Sequence, residues 1–527
     1  MADREPGQLS VETINTYFYR GEFHLPSGNP ARVKFGTSGH RGILGAGFSE
    51  RHAEAIAQAV AGMHREHSIE GPIILGGDTR LMSAETAVVC AEVLTANGFE
   101  VILSDIPLPT PVFSSAILNG QAVASLNGTA SHNPPQDMGL KYNPKTGGPA
   151  GSEITSLIEK SANEFLDNPE KIRRMSLEKA AAKGLVKRTD LIGPYLERLS
   201  RVVNLEVIRR SDLRIGIHPL GGTTSPCYRG LREKYGLENL EIVDSTLDPT
   251  FGFIPLDHDL KIRMDPSSPF PMRPLLELMR AGKYDFAGAS DPDGDRFGAA
   301  TSKTGLLQPN HALSILFSYL LDHRPEWPQT LEAGRTIGTT HLIDRIASAR
   351  GRKVDEVNVG FKFYVDGLLN GRYALAGEES AGLSIYRWTT EKDGILAVLL
   401  LAEAMAKTGK DLADLYRELT STLGEPSYGR IDVPVDERIR GSIKSKKAGD
   451  FKDLASLAGE KVTGVRDTDG LKIYTENSWV LARLSGTEPI AKLYAESFKG
   501  PDHLREVQKE GGRIFGLEVE KYISVSC

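Results

Sequence analysis

The stretch Pro72-Ile73-Ile74-Leu75-Gly76-Gly77, a helical pattern over residues 84–97, and Phe99-Glu100-Val101-Ile102-Leu103 together spell strand, glycine turn, helix and strand. Two β-rich runs joined through a helix are the mark of neighbouring parallel strands with a crossover connection. The unit returns as Leu213-Arg214-Ile215-Gly216-Ile217, Gly221-Gly222, a helix over 227–235, and Leu240-Glu241-Ile242-Val243. A third, weaker copy starts at Thr336-Ile337-Gly338, passes a helix over 342–349 and ends in residues 354–359. Three copies imply three related α/β domains.

After about Gly424 the texture changes. Arg430-Ile431-Asp432-Val433-Pro434-Val435, Leu471-Lys472-Ile473-Tyr474, Trp479-Val480-Leu481 and Lys492-Leu493-Tyr494-Ala495 read as short strands, with helical segments expected over 450–458 and 502–515. That pattern predicts an antiparallel α+β domain. The expected division is therefore 1–209, 210–307, 308–424 and 425–527.

At 527 residues the chain has room for several domains. Its 40% hydrophobic and 25% charged content is that of a globular protein. A formal net charge of -6 argues against a nucleic-acid partner. Three cysteines (Cys90, Cys227, Cys527) make no disulfide framework and no metal-ligand spacing, so a reducing cytoplasmic location is expected. Met1-Ala2-Asp3-Arg4-Glu5-Pro6 lacks the basic start and apolar core of a signal peptide. The most apolar run, 395–406, is broken by Glu403 and is shorter than the ~20 residues of a membrane span. It reads as a buried helix, and no membrane partner is expected.

Four loops carry chemistry, and each follows a β-rich run. Asp291-Pro292-Asp293-Gly294-Asp295-Arg296 follows Tyr284-Asp285-Phe286-Ala287-Gly288-Ala289. Its three carboxylates on alternate positions resist ionising together unless a cation lies among them, and oxygen ligands select a hard ion such as Mg²⁺. An EF-hand loop starting at Asp291 would need Gly and Glu where this chain has Arg296 and Ser302. Thr129-Ala130-Ser131-His132-Asn133-Pro134 can hold a serine hydroxyl at the mouth of a sheet, or simply be a polar turn. Adjacent Ser and His do not make a protease triad.

Gly377-Glu378-Glu379-Ser380-Ala381-Gly382 offers carboxylates and a hydroxyl suited to sugar hydroxyls, or an acidic helix start. Adjacent glutamates do not flank a bond from opposite sides as a glycosidase pair must. Arg483-Leu484-Ser485-Gly486-Thr487-Glu488-Pro489 combines an arginine fork, two hydroxyls and glycine-freed N–H groups, which suits a phosphate. No Walker loop occurs, and Gly45-Ala46-Gly47 lacks the third glycine of a dinucleotide fingerprint. Ligands of α/β sheets bind beyond the carboxyl ends of strands. Four such ends facing one cleft would combine a metal, a serine, sugar-type acceptors and a phosphate cradle.

With Phe35-Gly36-Thr37-Ser38-Gly39-His40-Arg41-Gly42 added, the loops occur in the order found in the α-D-phosphohexomutase superfamily, and the chain resembles its phosphoglucomutases most. The resemblance spans nearly the whole chain and implies four domains around a central cleft: three related mixed α/β-sheet domains, then a C-terminal α+β domain. It implies that Ser131 carries the transferred phosphoryl group, and that Asp291, Asp293 and Asp295 hold Mg²⁺ with a Ser131 phosphate oxygen. Arg41, His132 and Lys141 would serve proton transfer and charge stabilisation, and Arg296 would lie where the moving phosphoryl group needs positive charge. Glu378 and Ser380 would take sugar hydroxyls. Arg483, Ser485, Gly486 and Thr487 would grip the phosphate that is not reacting. Phe361 and Lys362 stand in the sugar-specificity loop, where phosphoglucomutases often carry a bulkier aromatic than Phe361.

The implied activity interconverts α-D-glucose 1-phosphate and glucose 6-phosphate through a phosphoserine and glucose 1,6-bisphosphate, which is also the activator. The partner is a small phosphosugar, and the assembly a monomer or dimer. GEESAG resembles glucomutases; phosphoglucosamine mutases tend to carry Gln, and bifunctional phosphomanno/glucomutases Met, at the place of Glu379. Alternatives are a phosphomannomutase preference, or a silent relative serving as a scaffold. The latter would be marked by a lost serine, aspartate set or phosphate loop, none of which is seen.

Overall fold

The computed structural model describes Phe18 and residues 31–36, 38–485 and 489–523. Contacts divide the chain into two units. The first takes the described residues of Met1–Ala312, Gly360–Ala376 and Ser380–Ala413; the second takes those of Leu313–Val359, Gly377–Glu379 and Asp414–Cys527.

In the first unit, the opening βαβ pattern becomes the parallel strands Ile73–Gly77 and Val101–Leu103 around the helix Ser83–Ala96. They belong to a six-stranded sheet ordered His40–Ile43, Asp137–Asn143, Ala124–Gly128, Ile73–Gly77, Val101–Leu103, Val186–Lys187. The sheet is mixed: Asp137–Asn143 runs antiparallel to both neighbours. Gly77 pairs with Gly128, so the parallel strands Ile73–Gly77 and Ala124–Gly128 end level, and the Asp78 N–H donates to Gly128 O at 3.0 Å. The loops after these strands therefore leave the sheet side by side.

The second copy builds a five-stranded sheet ordered Gly305–Leu306, Phe297–Thr301, Phe286–Ser290, Ile215–His218, Leu240–Ile242. Ile215–His218 pairs in parallel with both neighbours, and Phe297–Thr301 turns back antiparallel to Phe286–Ser290. The acidic loop 291–296 is the connection of that antiparallel pair. The apolar run over 395–406 lies in the helix Gly394–Thr408, whose residues from Gly394 to Met405 are all buried. Asp393 caps it by accepting from Leu396 N at 2.9 Å. The helix packs on Phe286–Ser290 and Phe297–Thr301. Buried Glu403 is satisfied by the Asn204 N–H at 2.7 Å.

In the second unit, Glu332–Thr336 and Val354–Val357 pair in parallel around the helix Leu342–Ala349. The C-terminal sheet is antiparallel throughout: Ser427–Pro434, Ile490–Ser497, Ser478–Leu484, Leu471–Tyr474, Gly464–Arg466. The helix Pro501–Phe515 covers it. Glu356 joins the two parts, accepting from Arg335 Nη1 at 2.6 Å, Lys472 Nζ at 2.9 Å and Tyr474 Oη at 2.6 Å. Burial would raise its carboxyl, but His341, Lys472 and Arg335 hold it well below the usual range. The helix expected over 450–458 is not formed. Ala448–Phe451 is one 3₁₀ turn, at whose start Asp450 accepts the Lys447 N–H, and Ser456–Leu457 opens a two-stranded hairpin that Gly459 turns at φ 76°. Lys444, Lys446 and Lys447 do not form a buried site: Lys444 and Lys447 are exposed, Lys446 half-buried. Among the described residues no helix is long and apolar enough to cross a membrane.

Two distant glycines fix the acidic loop. A Cβ on Gly222 would lie 2.5 Å from Pro292 Cα, and one on Gly394 2.2 Å from Arg296 O. Both obstacles are backbone, so neither yields cheaply. Gly394→Ala is expected to lower stability by about 1–3 kcal/mol through overpacking, whereas Gly62→Ala, with nothing near its Cβ in the helix Glu50–Glu66, leaves stability unchanged or raised. Urea midpoints check this, and equal midpoints for the two variants would refute the loop's confinement.

Candidate functional site

The loop after Ala124–Gly128 brings Ser131 to a left-handed φ of 55° with its side chain buried. Ser131 Oγ donates to Asp291 Oδ2 at 2.6 Å, and His132 Nδ1 lies 3.3 Å from the same Oγ. The acidic loop is held opposite by its own turn and its neighbours. Gly294 takes φ 68° and donates to Asp291 O, Thr223 donates through N and Oγ1 to Pro292 O at 2.9 Å, and Thr110 N donates to Asp293 O at 2.7 Å.

Asp291, Asp293 and Asp295 are all at most 1% exposed, with one carboxylate oxygen from each lying within 4.8 Å of the others. Such a group demands positive charge. Lys141 Nζ, on the strand Asp137–Asn143, reaches Asp293 Oδ2 at 2.6 Å and Asp295 Oδ2 at 2.8 Å, and Lys392 Nζ reaches Asp295 Oδ2 at 3.0 Å. Burial raises the Asp291 carboxyl well above its usual range, and Asp293 and Asp295 raise it further. Burial also raises Asp295, but Lys141, Lys392 and Arg296 more than reverse it. Burial opposes charge on Lys141, yet Asp293 and Asp295 hold it above its ordinary value. The two lysines do not use every oxygen. Asp293 Oδ1 and Asp295 Oδ1 are buried with no hydrogen-bond donor among the described residues. Hard, anionic oxygens left without a donor fit a divalent cation such as Mg²⁺.

Around this centre, Arg296 donates its N–H to Asp291 Oδ1 at 2.9 Å, and its Nη1 stands 3.6 Å from Asp265 Oδ2. His132 Nε2 lies 4.0 Å from the same Asp265 oxygen. Burial first, and Arg296 next, lower the His132 imidazole below its ordinary value, against the pull of Asp265. Arg41 donates to Ser38 Oγ at 3.2 Å and feels the charge of Asp293 and Asp295. The first unit thus gathers Ser131, His132, Lys141, Arg41, the three aspartates and Arg296.

Phe361 is also in this unit, buried, with Lys392 Nζ 5.7 Å above its ring, and Lys362 Nζ donates to Ser152 Oγ at 3.0 Å. Ser380 is half-buried beside Ala381, whose carbonyl accepts from Phe297 N at 3.1 Å. The second unit holds the remaining expected residues. Glu378 is buried at the end of the strand Tyr373–Glu378. Its neighbour Glu379 accepts from Thr336 Oγ1 at 2.8 Å and Thr339 Oγ1 at 3.2 Å. A strand, Gly382–Ile385, and not a helix, follows this loop. Arg483 Nε donates to Asp469 Oδ1 at 3.0 Å, and Asp469 Oδ2 accepts the Val359 N–H at 2.8 Å. Ser485 is buried, its carbonyl accepting from Arg440 at 3.3 Å. Gly486 and Thr487 lie outside the described residues.

Sequence reasoning missed Lys392, Asp265, Thr110 and the Asp78–Arg80 pair. Gly76-Gly77-Asp78-Thr79-Arg80 carries the same kind of signal as the chosen loops, polar and charged residues immediately after a β-rich run. Lys392, in the polar run Thr389-Thr390-Glu391-Lys392-Asp393, has no such mark.

Comparison with known proteins identifies a family. Four family models match, described as Phosphoglucomutase/phosphomannomutase alpha/beta/alpha domain I (residues 32–167), domain II (193–305), domain III (308–423) and C-terminal domain (433–511). A phosphoglucomutase of Komagataeibacter xylinus is 42% identical over 91% of this chain and 90% of its own length. A phosphoglucomutase/phosphomannomutase of Thermococcus kodakarensis is 27% identical over 91% and 98%. A solved Thermus thermophilus structure, described as a putative phosphomannomutase, superposes with a TM-score of 0.76 at 27% identity, covering 93% of this chain and all of that one.

Excess Mg²⁺ is expected to raise the thermal unfolding midpoint by several degrees, since a ligand of the folded state alone stabilises it by mass action. Asp291→Asn should lose at least about half of that shift, because one anionic ligand is gone. An equal shift in both proteins would refute the assignment of the aspartates. With four family models matched in order between residues 32 and 511 and a relative 42% identical over 91% of the chain, the chain belongs to the phosphoglucomutase/phosphomannomutase family.

Proposed function

We propose that this protein is a Mg²⁺-dependent phosphoglucomutase that interconverts α-D-glucose 1-phosphate and glucose 6-phosphate through a phosphoserine at Ser131. The observation that carries the reading is the 2.6 Å contact of Ser131 Oγ with Asp291, beside two aspartate oxygens without donors. A group carrier and a cation site in direct contact suit phosphoryl transfer, where positioning and charge neutralisation matter more than covalent assistance. The proposed division is four domains, 1–209, 210–307, 308–424 and 425–527, although the matched domain II segment, 193–305, begins before residue 210.

Phosphorylated Ser131 gives its phosphoryl group to the 6-hydroxyl of glucose 1-phosphate: the bond from phosphorus to Oγ breaks and the bond to O6 forms. The product, glucose 1,6-bisphosphate, turns end for end, and its 1-phosphoryl group returns to Oγ, leaving glucose 6-phosphate. Asp291, Asp293 and Asp295 would hold Mg²⁺, which when bound would supply positive charge near the phosphoryl group. Lys141, Lys392, Arg41 and Arg296 add to that charge from the protein. His132 Nδ1, 3.3 Å from Oγ, is placed to move the hydroxyl proton, whereas Lys141 has its ammonium engaged by two carboxylates. Glu378 and Ser380 would accept and donate to sugar hydroxyls, with Phe361 and Lys362 setting sugar preference. Arg483, Ser485, Gly486 and Thr487 would hold the phosphate that is not reacting.

Glu379 in GEESAG, and the name of the Komagataeibacter xylinus relative, favour glucose over mannose. The names of the other two relatives keep mannose 1-phosphate as the competing substrate.

Incubation with glucose 1,6-bisphosphate should add one phosphate, mapped to Ser131, and Ser131→Ala should lower turnover by about 10³-fold or more. Phosphate on another residue, or near-normal turnover of Ser131→Ala, would refute the carrier. In a coupled assay, kcat/KM should favour glucose 1-phosphate over mannose 1-phosphate; parity or the reverse would overturn the sugar assignment.

A further inference from the structure

A serine at φ 55° is held away from the conformation its own side chain prefers, so something around it must fix it there. What fixes it comes from the loop after the neighbouring strand Ile73–Gly77 and from Thr129 in its own loop. Arg80 Nη2 donates to Ser131 O at 2.5 Å, Arg80 Nη1 to Asp137 O at 2.6 Å, and Arg80 Nε to Asp78 Oδ2 at 2.8 Å. The same Asp78 oxygen accepts from Thr129 Oγ1 at 2.6 Å. Because the Thr129 proton points at Asp78, the lone pair of its oxygen is left to accept the Ser131 N–H at 2.8 Å.

The bonds close a ring: Asp78 to Arg80, Arg80 to the Ser131 carbonyl, the Ser131 N–H to Thr129, and Thr129 back to Asp78. Both side chains of the ion pair are fully buried, and Thr129 is too. Apart from Ser131 itself, the ring makes no hydrogen bond to the three aspartates, and Asp78, Arg80 and Thr129 were not needed to account for the chemistry. The pair can stand there because Gly77 and Gly128 end level. A Cβ on Gly77 would meet Gly128 O at 2.4 Å and force the two loops apart.

We propose that Asp78, Arg80 and Thr129 are positioning residues for the reacting serine, clamping both backbone groups of Ser131 so that Oγ stays against Asp291. The inference rests on Ser131 being the phosphoryl carrier. It concerns orientation alone: no proton or bond of the reaction passes through the ring. Misplacing the reacting atom by a fraction of its bond length to a partner lowers the rate without weakening substrate binding.

The test uses the full chain with Mg²⁺ and glucose 1,6-bisphosphate labelled in its phosphates. Wild type, Thr129→Val, Thr129→Ser and Arg80→Lys are compared for the rate of label arrival at Ser131 per folded molecule, and for kcat and KM. Thr129→Val keeps the shape and removes the relay. It should slow labelling and kcat by about 30-fold or more, with KM within about threefold. Thr129→Ser restores the oxygen and should come within about threefold of wild type. Arg80→Lys cannot span Asp78, Ser131 O and Asp137 O together and should fall with the valine variant.

Normal rates per folded molecule in Thr129→Val, equal slowing by valine and serine, or a change in KM alone would overturn the clamp. Should the valine variant not be recovered folded, Arg80→Lys is judged by the same thresholds. Absence of label from wild-type Ser131 overturns the carrier reading and the clamp with it; labelled wild type with unaffected variants overturns the clamp alone.

Discussion

Three carboxylates buried within 4.8 Å of one another are electrostatically untenable by themselves, and much of the first unit can be understood as the answer to them. Lys141 arrives on the antiparallel strand of the first sheet and Lys392 from the segment before the buried helix. Each ammonium is taken from water and paired with the aspartates, Lys392 also lying 3.5 Å from Glu391, so the placement of one strand and one helix start is tied to one loop. The same arrangement leaves two oxygens without donors among the described residues. The protein's own donors thus leave two anionic oxygens unused among the described residues, a set that a divalent cation would fit.

Backbone accuracy is the second requirement, and it is met largely by what is missing. Gly222 and Gly394 lie against Pro292 and Arg296 so closely that no side chain fits. Opposite them, the level ends of Ile73–Gly77 and Ala124–Gly128 set the serine loop beside the Asp78–Arg80 pair. One loop is confined by contact and the other by hydrogen bonds, and Ser131 meets Asp291 where the two are brought together.

Much of this was legible in the sequence for a definite reason. Loops at the ends of β-rich runs concentrate unusual residues, so TASHNP, DPDGDR, GEESAG and RLSGTEP could be found as local strings. Lys141 was reached only through the family resemblance, and Lys392 not at all, because each acts across a sequence separation of about 100–150 residues that no local pattern records. The Asp78–Arg80 pair was readable and was passed over, since its charges look like an ordinary solvated turn until burial is known. The short elements over 448–457 were misread as a helix because Asp450 and Gly459 act through backbone geometry, not hydrophobic period.

The interleaving of the two units along the chain has a consequence for biosynthesis. Residues 313–359 of the second unit are made before residues 380–413 of the first. Lys392 and Gly394 belong to that late segment. As the chain leaves the ribosome, the aspartate loop exists for about a hundred residues of elongation without one of its balancing charges and without its packing helix. The first unit therefore cannot finish folding in the order in which it is translated, and the vulnerable interval ends only when residues of the second unit have already emerged.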